Sequence, residues 1–230
     1  MNENSKAKEN SVLQASQVFK SIEHAGSNLD ILYDISMDIS AGSTVSMTGP
    51  SGSGKTTLLG ILAGLDLPSS GSITLLGQAI STMDEDERAK LRNGRVGFVF
   101  QSFHLLPNLT ALENISLALE VISGSQNIKE QSVQSLESVG LSNRASHLPS
   151  QLSGGEQQRV ALARSMVVNP AILFADEPTG NLDYQTSMQI VDLMFSLVEQ
   201  RGSTLILATH DHQLAGRCDV EYRIEAGHLV

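Results

Sequence analysis

The chain has 230 residues and a formal net charge of −10, from 25 acidic and 15 basic side chains. Its length favours one large domain, and a hydrophobic fraction of 40% with only 4% aromatic residues predicts an aliphatic core. The acidic balance argues against broad nucleic-acid binding, and the single cysteine, Cys218, excludes a disulfide within the chain.

The first ten residues are polar and lack the apolar stretch of a secretory signal. We expect residues 1–10 to form a disordered tail and residues 11–230 to form one domain. No apolar run approaches the length that spans a bilayer, and a lone cysteine suits a reducing compartment. The sequence therefore predicts a cytoplasmic protein, although docking on a membrane protein stays open.

Apolar periodicity and turn signals predict strands that alternate with helices. In the second strand, one side is expected to carry Ile31, Tyr33, Ile35, Met37 and Ile39. The predicted strands are 12–19, 31–39, 44–47, 73–76, 96–100, 171–175, 204–208 and 220–224. The predicted helices run from near Gly54 to 62, then 84–92, 111–122, 129–139, one opening after Ser153, and 185–199.

A glycine-rich run follows the strand at 44–47 and leads into an apolar helical run. It reads Gly49, Pro50, Ser51, Gly52, Ser53, Gly54, Lys55, Thr56, Thr57. Strand, glycine-rich loop and helix are the context that the pattern G-x-x-x-x-G-K-[ST] requires for phosphate binding. Backbone N–H groups and the positive helix end can then surround phosphate oxygens. Lys55 is expected to reach the β- and γ-phosphates of ATP, and the Thr56 hydroxyl to ligate Mg²⁺.

Strands and helices that alternate around such a loop predict an α/β fold with a mostly parallel sheet, as in the RecA-like core of P-loop NTPases. The paired strands near the N-terminus are expected to form an antiparallel β subdomain. The mostly helical stretch at 102–164 is expected to form a helical subdomain inserted into the sheet-based core.

An acidic pair follows the continuous apolar strand at 171–175, where a central parallel strand is expected to end beside the phosphate loop. We expect Asp176 to hold Mg²⁺, directly or through water. Glu177 is expected to polarise the water that attacks the γ-phosphate, which is worth about 10²–10⁴ in rate. The alternative is an acidic pair that caps a helix after any strand.

Two further polar residues also follow strands. His210 comes after the strand at 204–209 and could hydrogen-bond the γ-phosphate while holding the attacking water. Gln101 comes after the strand at 96–100, and its amide could reach Mg²⁺ or the water. The alternatives are a structural histidine and an ordinary loop glutamine.

The run Leu152–Gln158 contains a second candidate anion site. Ser153 is placed to cap a helix with Glu156 three residues later, and Gly154 and Gly155 expose backbone N–H groups. A well-capped helix is the simpler interpretation. However, one γ-phosphate cannot occupy two distant sites of one monomer. A two-fold dimer resolves this, because the Ser153–Gly155 end of one subunit would complete the ATP site of the other.

In these motifs and in their order, the chain resembles the ATPase subunit of ATP-binding cassette (ABC) transporters, from about Leu13 to Val230. The resemblance assigns the motifs as follows: Gly49–Thr57 as Walker A, Gln101 as the Q-loop, Leu152–Gln158 as the signature, Ile172–Glu177 as Walker B, Asn181–Asp183 as the D-loop and His210 as the switch histidine. Asp183 therefore joins the expected nucleotide-binding residues.

Softer similarities point to one branch of the family, which contains the lipoprotein-releasing, macrolide-exporting and cell-division ATPases. They include Gly64-Leu65-Asp66, Leu105-Leu106-Pro107 and the run 177–183. One position departs from the family pattern, since Ile22 stands where an aromatic residue usually stacks on adenine. Apolar packing of Ile22 on the base would lose about 1 kcal/mol relative to aromatic stacking.

The resemblance implies a motor subunit that lies on the inner face of the cell membrane. Two copies would bind ATP and Mg²⁺, close, and drive a membrane permease docked near Gln101–Asn114. In this branch the work would be lipoprotein or lipid extraction, amphiphile efflux, or activation of a partner hydrolase. A soluble ABC ATPase acting on nucleic acid or ribosomes is the alternative, which the single cassette and the charge of −10 disfavour. A stand-alone P-loop kinase would leave Leu152–Gln158 unexplained.

Overall fold

The structure is a computed structural model that describes residues 10–24, 27–122 and 126–230. The chain forms two compact units, of which unit one comprises Met1–Arg92 and Thr204–Val230 and unit two comprises Asn93–Ser203. Residues 1–9 of the expected tail lie outside the described residues. Asn10 is described, and its carbonyl oxygen accepts a hydrogen bond from the Ala41 N–H at 2.9 Å.

The elements follow one another in chain order. The strands are β1 Ser11–His24, β2 Ser27–Ser40, β3 Thr44–Thr48, β4 Ser70–Leu75, β5 Gln78–Ala79, β6 Val96–Phe100, β7 Ile172–Asp176, β8 Thr204–Ala208, β9 Val220–Glu225 and β10 His228–Leu229. The helices are α1 Lys55–Leu62, α2 Glu85–Arg92, α3 Ala111–Glu120, α4 Ile128–Ser138, α5 Gly154–Met166, α6 Tyr184–Arg201 and α7 His212–Ala215. Short 3₁₀ turns lie at Ile80–Thr82, Ser142–Arg144 and Pro149–Gln151.

The N-terminal strands of unit one form an antiparallel sheet in the order β2-β1-β4-β5, as the sequence predicts. The expectation that the alternating residues of β2 share one side is wrong in the first half of the strand. Leu32 is buried, whereas Ile31 and Tyr33 are only half-buried. The reason is Asp34, whose φ of 48° interrupts the two-residue alternation and shifts the side that faces the core. From Ile35 onward the prediction is confirmed.

In unit one, the parallel strands β3 and β8 end side by side. β3 lies between β8 and β9 and runs parallel to both, with Met47 opposite Ala208. β10 then pairs antiparallel with β9. Because carboxyl ends of parallel strands lie at one edge of a sheet, the segments that follow β3 and β8 emerge together. These segments carry the phosphate loop and His210.

Unit two is built around a parallel pair of strands, β6 and β7, in register from Val96 opposite Ile172 to Phe100 opposite Asp176. Residues Ile172 to Ala175 are fully buried at 0% exposure. Phe174 stacks on Phe98 with ring centroids 5.6 Å apart. The helices α3 to α6 belong to the same unit, and the proposed subdomain limits of 102–164 stay a prediction.

The bounds of several elements follow the sequence closely. The predicted strands at 96–100 and 204–208 coincide with β6 and β8, and α5 begins directly after Ser153 as expected. β10 was not predicted, since two residues are too short for a periodic signal. Within the described ranges, the helices are all too short or too polar to cross a bilayer.

Candidate functional site

The phosphate loop between β3 and α1 depends on glycine at defined positions. Gly49 has φ of 147°, and a Cβ built there would lie 2.1 Å from the Ile224 carbonyl oxygen. Gly54 has φ of 103° and forms the N-cap of α1, where a Cβ would lie 2.8 Å from Leu32 Cδ2. Any side chain at these positions would push the loop away from its neighbours.

Two polar side chains of the loop suit an anion. Lys55 is 7% exposed, and its ammonium group donates to the carbonyl oxygens of Gly49 at 2.8 Å and Pro50 at 3.0 Å. These acceptors are neutral, so they position the ammonium without cancelling its charge. Ser53 Oγ is buried and makes no hydrogen bond to the described part of the chain. A buried hydroxyl without a partner fits a ligand oxygen such as that of a phosphate.

Three other predicted site residues of unit one follow the glycines of the loop or the end of a strand. Thr56 is exposed in the first turn of α1, and Thr57 is half-buried. His210 is exposed and lies two residues beyond the end of β8, since the strand stops at Ala208 rather than Thr209. The next residue, Asp211, caps α7 by accepting the N–H of Gln213 at 2.8 Å.

Ile22 lies near the end of β1 and is 40% exposed. Its cross-strand partner is Leu29 of β2, which is 54% exposed. The two side chains form an exposed apolar pair, the kind of surface that can pack against a planar base. Sequence analysis identified Ile22 but missed Leu29, because the pairing register of the hairpin was not known.

In unit two, the acidic pair lies at a sharp turn of the backbone. Asp176 is the last residue of β7 and Glu177 follows it, and both side chains are half-buried. Glu177 has φ of 45°, a left-handed conformation that is uncommon for a residue other than glycine. Its carbonyl oxygen accepts the Gly180 N–H at 3.0 Å. The chain therefore turns away from the direction of β7 at Glu177. Strained backbone conformations of this kind are common at functional sites.

Gln101 contacts the segment that follows Glu177. Its Nε2 donates to Asn181 Oδ1 at 3.1 Å, and Asn181 Nδ2 donates to the Gln101 carbonyl at 3.0 Å. A Cβ at Gly180 would lie 2.7 Å from Gln101 Nε2, so this glycine admits the amide. The parallel register explains the contact, since Phe100 lies opposite Asp176. Sequence analysis named Gln101 but did not foresee Asn181 as its partner.

The expected capping box at Ser153 is confirmed. The Ser153 hydroxyl accepts the Glu156 N–H at 3.3 Å, and Glu156 Oε2 accepts the Ser153 N–H at 2.8 Å. Glu156 Oε1 also accepts from Arg144 Nε at 2.8 Å. The Ser153 N–H and the Arg144 guanidinium together lower the pKa of Glu156 to about 2. The start of α5 is thus locked in a helical geometry.

The two signature glycines allow α5 to approach the first turn of α6 and the segment that precedes it. A Cβ at Gly155 would lie 2.5 Å from Thr186 Cγ2, and one at Gly154 would lie 3.2 Å from Leu182 Cδ2. Asp183 caps α6 by accepting the Thr186 N–H at 3.0 Å. Hydrogen bonds from the Thr186 side chain and from its N–H lower the pKa of Asp183. The signature and the predicted D-loop therefore pack together in unit two.

α5 also contacts the segment after Gln101. Phe103 and His104 have positive φ values of 58° and 50°. Their carbonyl oxygens accept hydrogen bonds from Arg164, at 3.0 Å for Phe103 and 2.6 Å for His104. Burial lowers the pKa of Arg164. Sequence analysis missed this arginine, because its partners are backbone atoms sixty residues away.

The geometry divides the predicted site residues between the units. Unit one holds Ile22, Gly49–Thr57 and His210, and unit two holds Gln101, Ser153–Gly155, Asp176, Glu177 and Asp183. A glycine-dependent loop between a strand and a helix, with a lysine folded over it, defines a P-loop nucleotide-binding protein. The comparisons with known proteins identify which kind.

The family model described as "ABC transporter" matches residues 32–180, so the chain belongs to the ABC transporter family. The chain is 52% identical over 219 residues to the ABC transporter ATP-binding protein YbbA of Escherichia coli (strain K12), covering 95% of this chain and 96% of that protein. It is 43% identical over 220 residues to the lipoprotein-releasing system ATP-binding protein LolD of Alcanivorax borkumensis, covering 95% and 96%.

Solved structures agree with this assignment. The dimeric ATP-binding cassette MJ0796 bound to ADP and Pi superposes with a TM-score of 0.86 and 37% identity, covering 94% of this chain and 96% of that one. CbiO1 of Clostridium perfringens, from the cbiONQ transporter complex, gives a TM-score of 0.84 with 27% identity, covering 96% and 87%. The fold is therefore that of a P-loop ABC ATPase.

The chain is the ATP-binding subunit of an ABC transporter, and it hydrolyses ATP. ABC ATPases of this kind work as dimers with membrane permeases. The soluble alternative, an ATPase that acts on nucleic acid or ribosomes, receives no support from the family or from these relatives.

Substituting Gly155→Ala is expected to destabilise the chain by about 1–3 kcal/mol, because the new methyl group overlaps Thr186 Cγ2. Adding Thr186→Ser, which removes that methyl, should restore most of the loss. Urea unfolding of the single and double variants measures both effects. Gly60→Ala in α1 is the matched control, since a Cβ there meets nothing within 4 Å. Equal unfolding midpoints for Gly155→Ala and wild type would contradict the contact.

The capping carboxylate should make stability depend on pH. The pKa of Glu156 is lowered from 4.5 to about 2 in the folded chain. The ionised group therefore stabilises the fold above about pH 4.5, and this contribution is lost as the pH falls toward 2. The difference in unfolding free energy between wild type and Glu156→Gln should shrink between about pH 6 and pH 3.

The control for this pH series is Glu137→Gln, which replaces an exposed glutamate of α4. Its difference from wild type should stay nearly constant over the same range. A Glu156→Gln difference that stays equally constant would show that the capping box does not perturb this carboxyl group.

Proposed function

We propose that this chain is the motor of a membrane transporter, in which two copies close on two ATP molecules and thereby drive a permease. The observation that carries the proposal is the presence of two anion-binding features in one chain. The phosphate loop at Gly49–Thr57 belongs to unit one, and the capped, glycine-bearing start of α5 at Ser153–Gly155 belongs to unit two. MJ0796, a relative with the same fold, is dimeric with ADP and Pi bound.

In the proposed complex, the phosphate loop holds the ATP phosphates. Backbone N–H groups of the loop would bind the phosphate oxygens, and Lys55 would move from the loop carbonyls to the β- and γ-phosphates. The buried Ser53 hydroxyl, which lacks a partner in the described part of the chain, supports a ligand in this loop. Pro50, Ser51, Thr56 and Thr57 complete the cradle.

We assign Mg²⁺ binding to Thr56, Asp176 and Gln101. All three offer oxygen atoms, the ligands that this hard cation prefers. The Nε2 group of Gln101 already donates to Asn181, an arrangement that orients the amide. When bound, Mg²⁺ would neutralise charge on the phosphate oxygens.

Glu177 is the proposed general base for the attacking water, and His210 is proposed to hydrogen-bond the γ-phosphate and the same water. Water attack transfers the γ-phosphoryl group to the water oxygen and releases ADP, while Glu177 accepts a proton from the water. The turn at Glu177 supports this role, because its φ of 45° directs the residue out of the strand. Both residues lie just beyond the ends of parallel strands.

The second copy would supply the start of its own α5. Ser153, Gly154 and Gly155 would face the γ-phosphate bound to the partner's phosphate loop, with Asp183 adjacent to them through its contact with Thr186. The capping box supports this arrangement, because it fixes the first turn and leaves the helix N-terminus available for an anion. ATP would then hold the two copies together until hydrolysis.

The proposed permease surface is the loop Gln101–Asn114. Asn114 is 1% exposed, and its amide binds the backbone of Leu106, Leu109 and Thr110 at 2.8 to 3.2 Å. Leu106 itself is 44% exposed at the surface of this ordered loop. A fixed loop with an exposed apolar tip suits docking to a membrane protein. The chain would then lie peripherally on the inner face of the membrane.

The transported substrate is proposed by class. The relatives include an ATP-binding protein of a lipoprotein-releasing system. We therefore propose that the permease moves an amphiphile, such as a lipoprotein or lipid, or transmits force to a partner outside the membrane. The ATPase supplies the work, and the permease selects what is moved.

Replacing Glu177 by Gln tests the closing motor. With Mg–ATP, the variant should lose turnover by at least about a hundredfold. It should also accumulate as an ATP-bound dimer in light scattering, because release of the two copies requires hydrolysis. Glu137→Gln, an exposed glutamate in α4, is the control and should behave as wild type. A variant that stays monomeric with ATP and is not retained by its permease would contradict the proposal.

Ile22→Tyr should increase the preference for ATP over GTP. An aromatic ring stacks on adenine, whereas the exposed Ile22 and Leu29 pair offers only apolar packing, a difference of about 1 kcal/mol or roughly fivefold in affinity. Competition binding with both nucleotides measures it. Leu65→Tyr controls for a new exposed tyrosine, since Leu65 is 45% exposed elsewhere in unit one. Equal discrimination by wild type and Ile22→Tyr would refute the assignment.

A further inference from the structure

Gln158 is a fully buried polar side chain whose amide reaches two backbone carbonyls beside the proposed catalytic residues. It lies in α5 and is 0% exposed. Its Nε2 donates to the carbonyl oxygen of Pro178 and lies 3.5 Å from that of Phe100. Pro178 directly follows Glu177, and Phe100 directly precedes Gln101.

The orientation of this amide follows from its surroundings. Both nearby backbone groups are acceptors, so only the NH₂ end of the side chain can face them. The opposite end, Oε1, is buried without a hydrogen bond to any described residue. An unpaired buried oxygen lowers stability. An apolar side chain of similar size would avoid this penalty but would leave the buried Pro178 carbonyl without its donor. The role of Gln158 is therefore argued from the two backbone segments that its amide contacts.

The two segments that Gln158 contacts are also linked to each other. The parallel register sets Phe100 opposite Asp176, and Gln101 exchanges hydrogen bonds with Asn181 at 3.1 and 3.0 Å. These bonds fix the two segments beyond the strand ends, and Gln158 fixes them from the helix side. The enclosed residue is Glu177, whose backbone φ of 45° needs support from its neighbours.

We propose that Gln158 is a positioning residue for ATP hydrolysis. Its amide donates to the Pro178 carbonyl and faces that of Phe100, so it holds the backbone directly after Glu177 and directly before Gln101. The Glu177 carboxylate and the Gln101 side-chain amide thereby keep a fixed position relative to each other. The inference rests on the proposed function, because it assumes that Glu177 activates the attacking water. Gln158 itself does not touch the nucleotide.

The main test is Gln158→Met, which keeps the length of the side chain and removes the donor. The full chain should lose at least about tenfold in kcat for Mg–ATP, because the proposed base is no longer held in place. Its affinity for ATP measured without Mg²⁺ should change less than about twofold, since the phosphate loop belongs to the other unit. In a Glu177→Gln background, the same substitution should cause no further loss of turnover.

A second variant tests the donor itself. Gln158→Glu is isosteric, and its ionised carboxylate would place negative charge against two carbonyl oxygens. When protonated, it regains one donor toward Pro178. The ratio of its kcat to that of wild type should therefore rise as the pH falls from about 8 to about 6. If Gln158→Met does not fold, the pH dependence of this kcat ratio still tests whether the donor of Gln158 is needed for hydrolysis.

Ser135→Ala is the matched control. It removes another buried hydrogen bond to α5, from Ser135 Oγ to the Ala163 carbonyl at 3.0 Å, at a position remote from Gln101 and Glu177 in sequence. It should lower stability and leave kcat within about twofold. Loss of kcat by Ser135→Ala equal to that of Gln158→Met would reduce Gln158 to an ordinary packing residue and overturn the proposal.

The remaining outcomes separate the inference from the proposed function. A Gln158→Met protein with wild-type kcat, or a pH-independent ratio for Gln158→Glu, overturns the positioning role. If Glu177→Gln abolishes turnover in the same assay, the proposed function survives that result. If Glu177→Gln retains wild-type turnover, the proposed base is wrong, and the inference about Gln158 fails with it.

Discussion

Parallel strand pairing is the constraint on which the candidate site depends. In unit one, β3 and β8 end side by side with Met47 opposite Ala208, so the phosphate loop and the segment carrying His210 leave the sheet at one edge. In unit two, Phe100 lies opposite Asp176, so Gln101 and Glu177 do the same. Apart from Asp176 at the end of β7, the buried strands carry none of the proposed site residues, but they determine where the polar residues that follow them begin.

A second common feature is that side-chain donors fix the loops through backbone carbonyls. Lys55 binds the carbonyls of Gly49 and Pro50, and Arg164 binds those of Phe103 and His104. Asn114 does so for the loop at 106–110. Backbone carbonyls are present whatever the side chain is, so these contacts specify loop geometry without requiring a particular partner residue.

Local signals made much of this structure predictable. The phosphate loop and the capping box at Ser153 and Glu156 are patterns of adjacent residues, and the buried strands β6 and β8 are short apolar runs. Errors arose where an irregular backbone conformation or a distant contact decides the outcome. Asp34 turns β2 with φ of 48°, so Leu32 is buried in place of Ile31 and Tyr33. The partners Asn181 and Leu29 depend on strand register, which no single-strand pattern reveals. Gln158 was named only as the last residue of the signature run, and its contacts could not be predicted because its acceptors are carbonyls twenty and fifty-eight residues away.

The four hydrogen bonds of Asn114 have a kinetic consequence for association. A flexible loop loses conformational entropy when it meets a partner, and its slow rearrangement can limit the rate of complex formation. Here the asparagine has already ordered the segment around Leu106 within the isolated subunit. Encounter with a membrane protein would then be limited by collision and orientation, and dissociation would need no refolding of this segment.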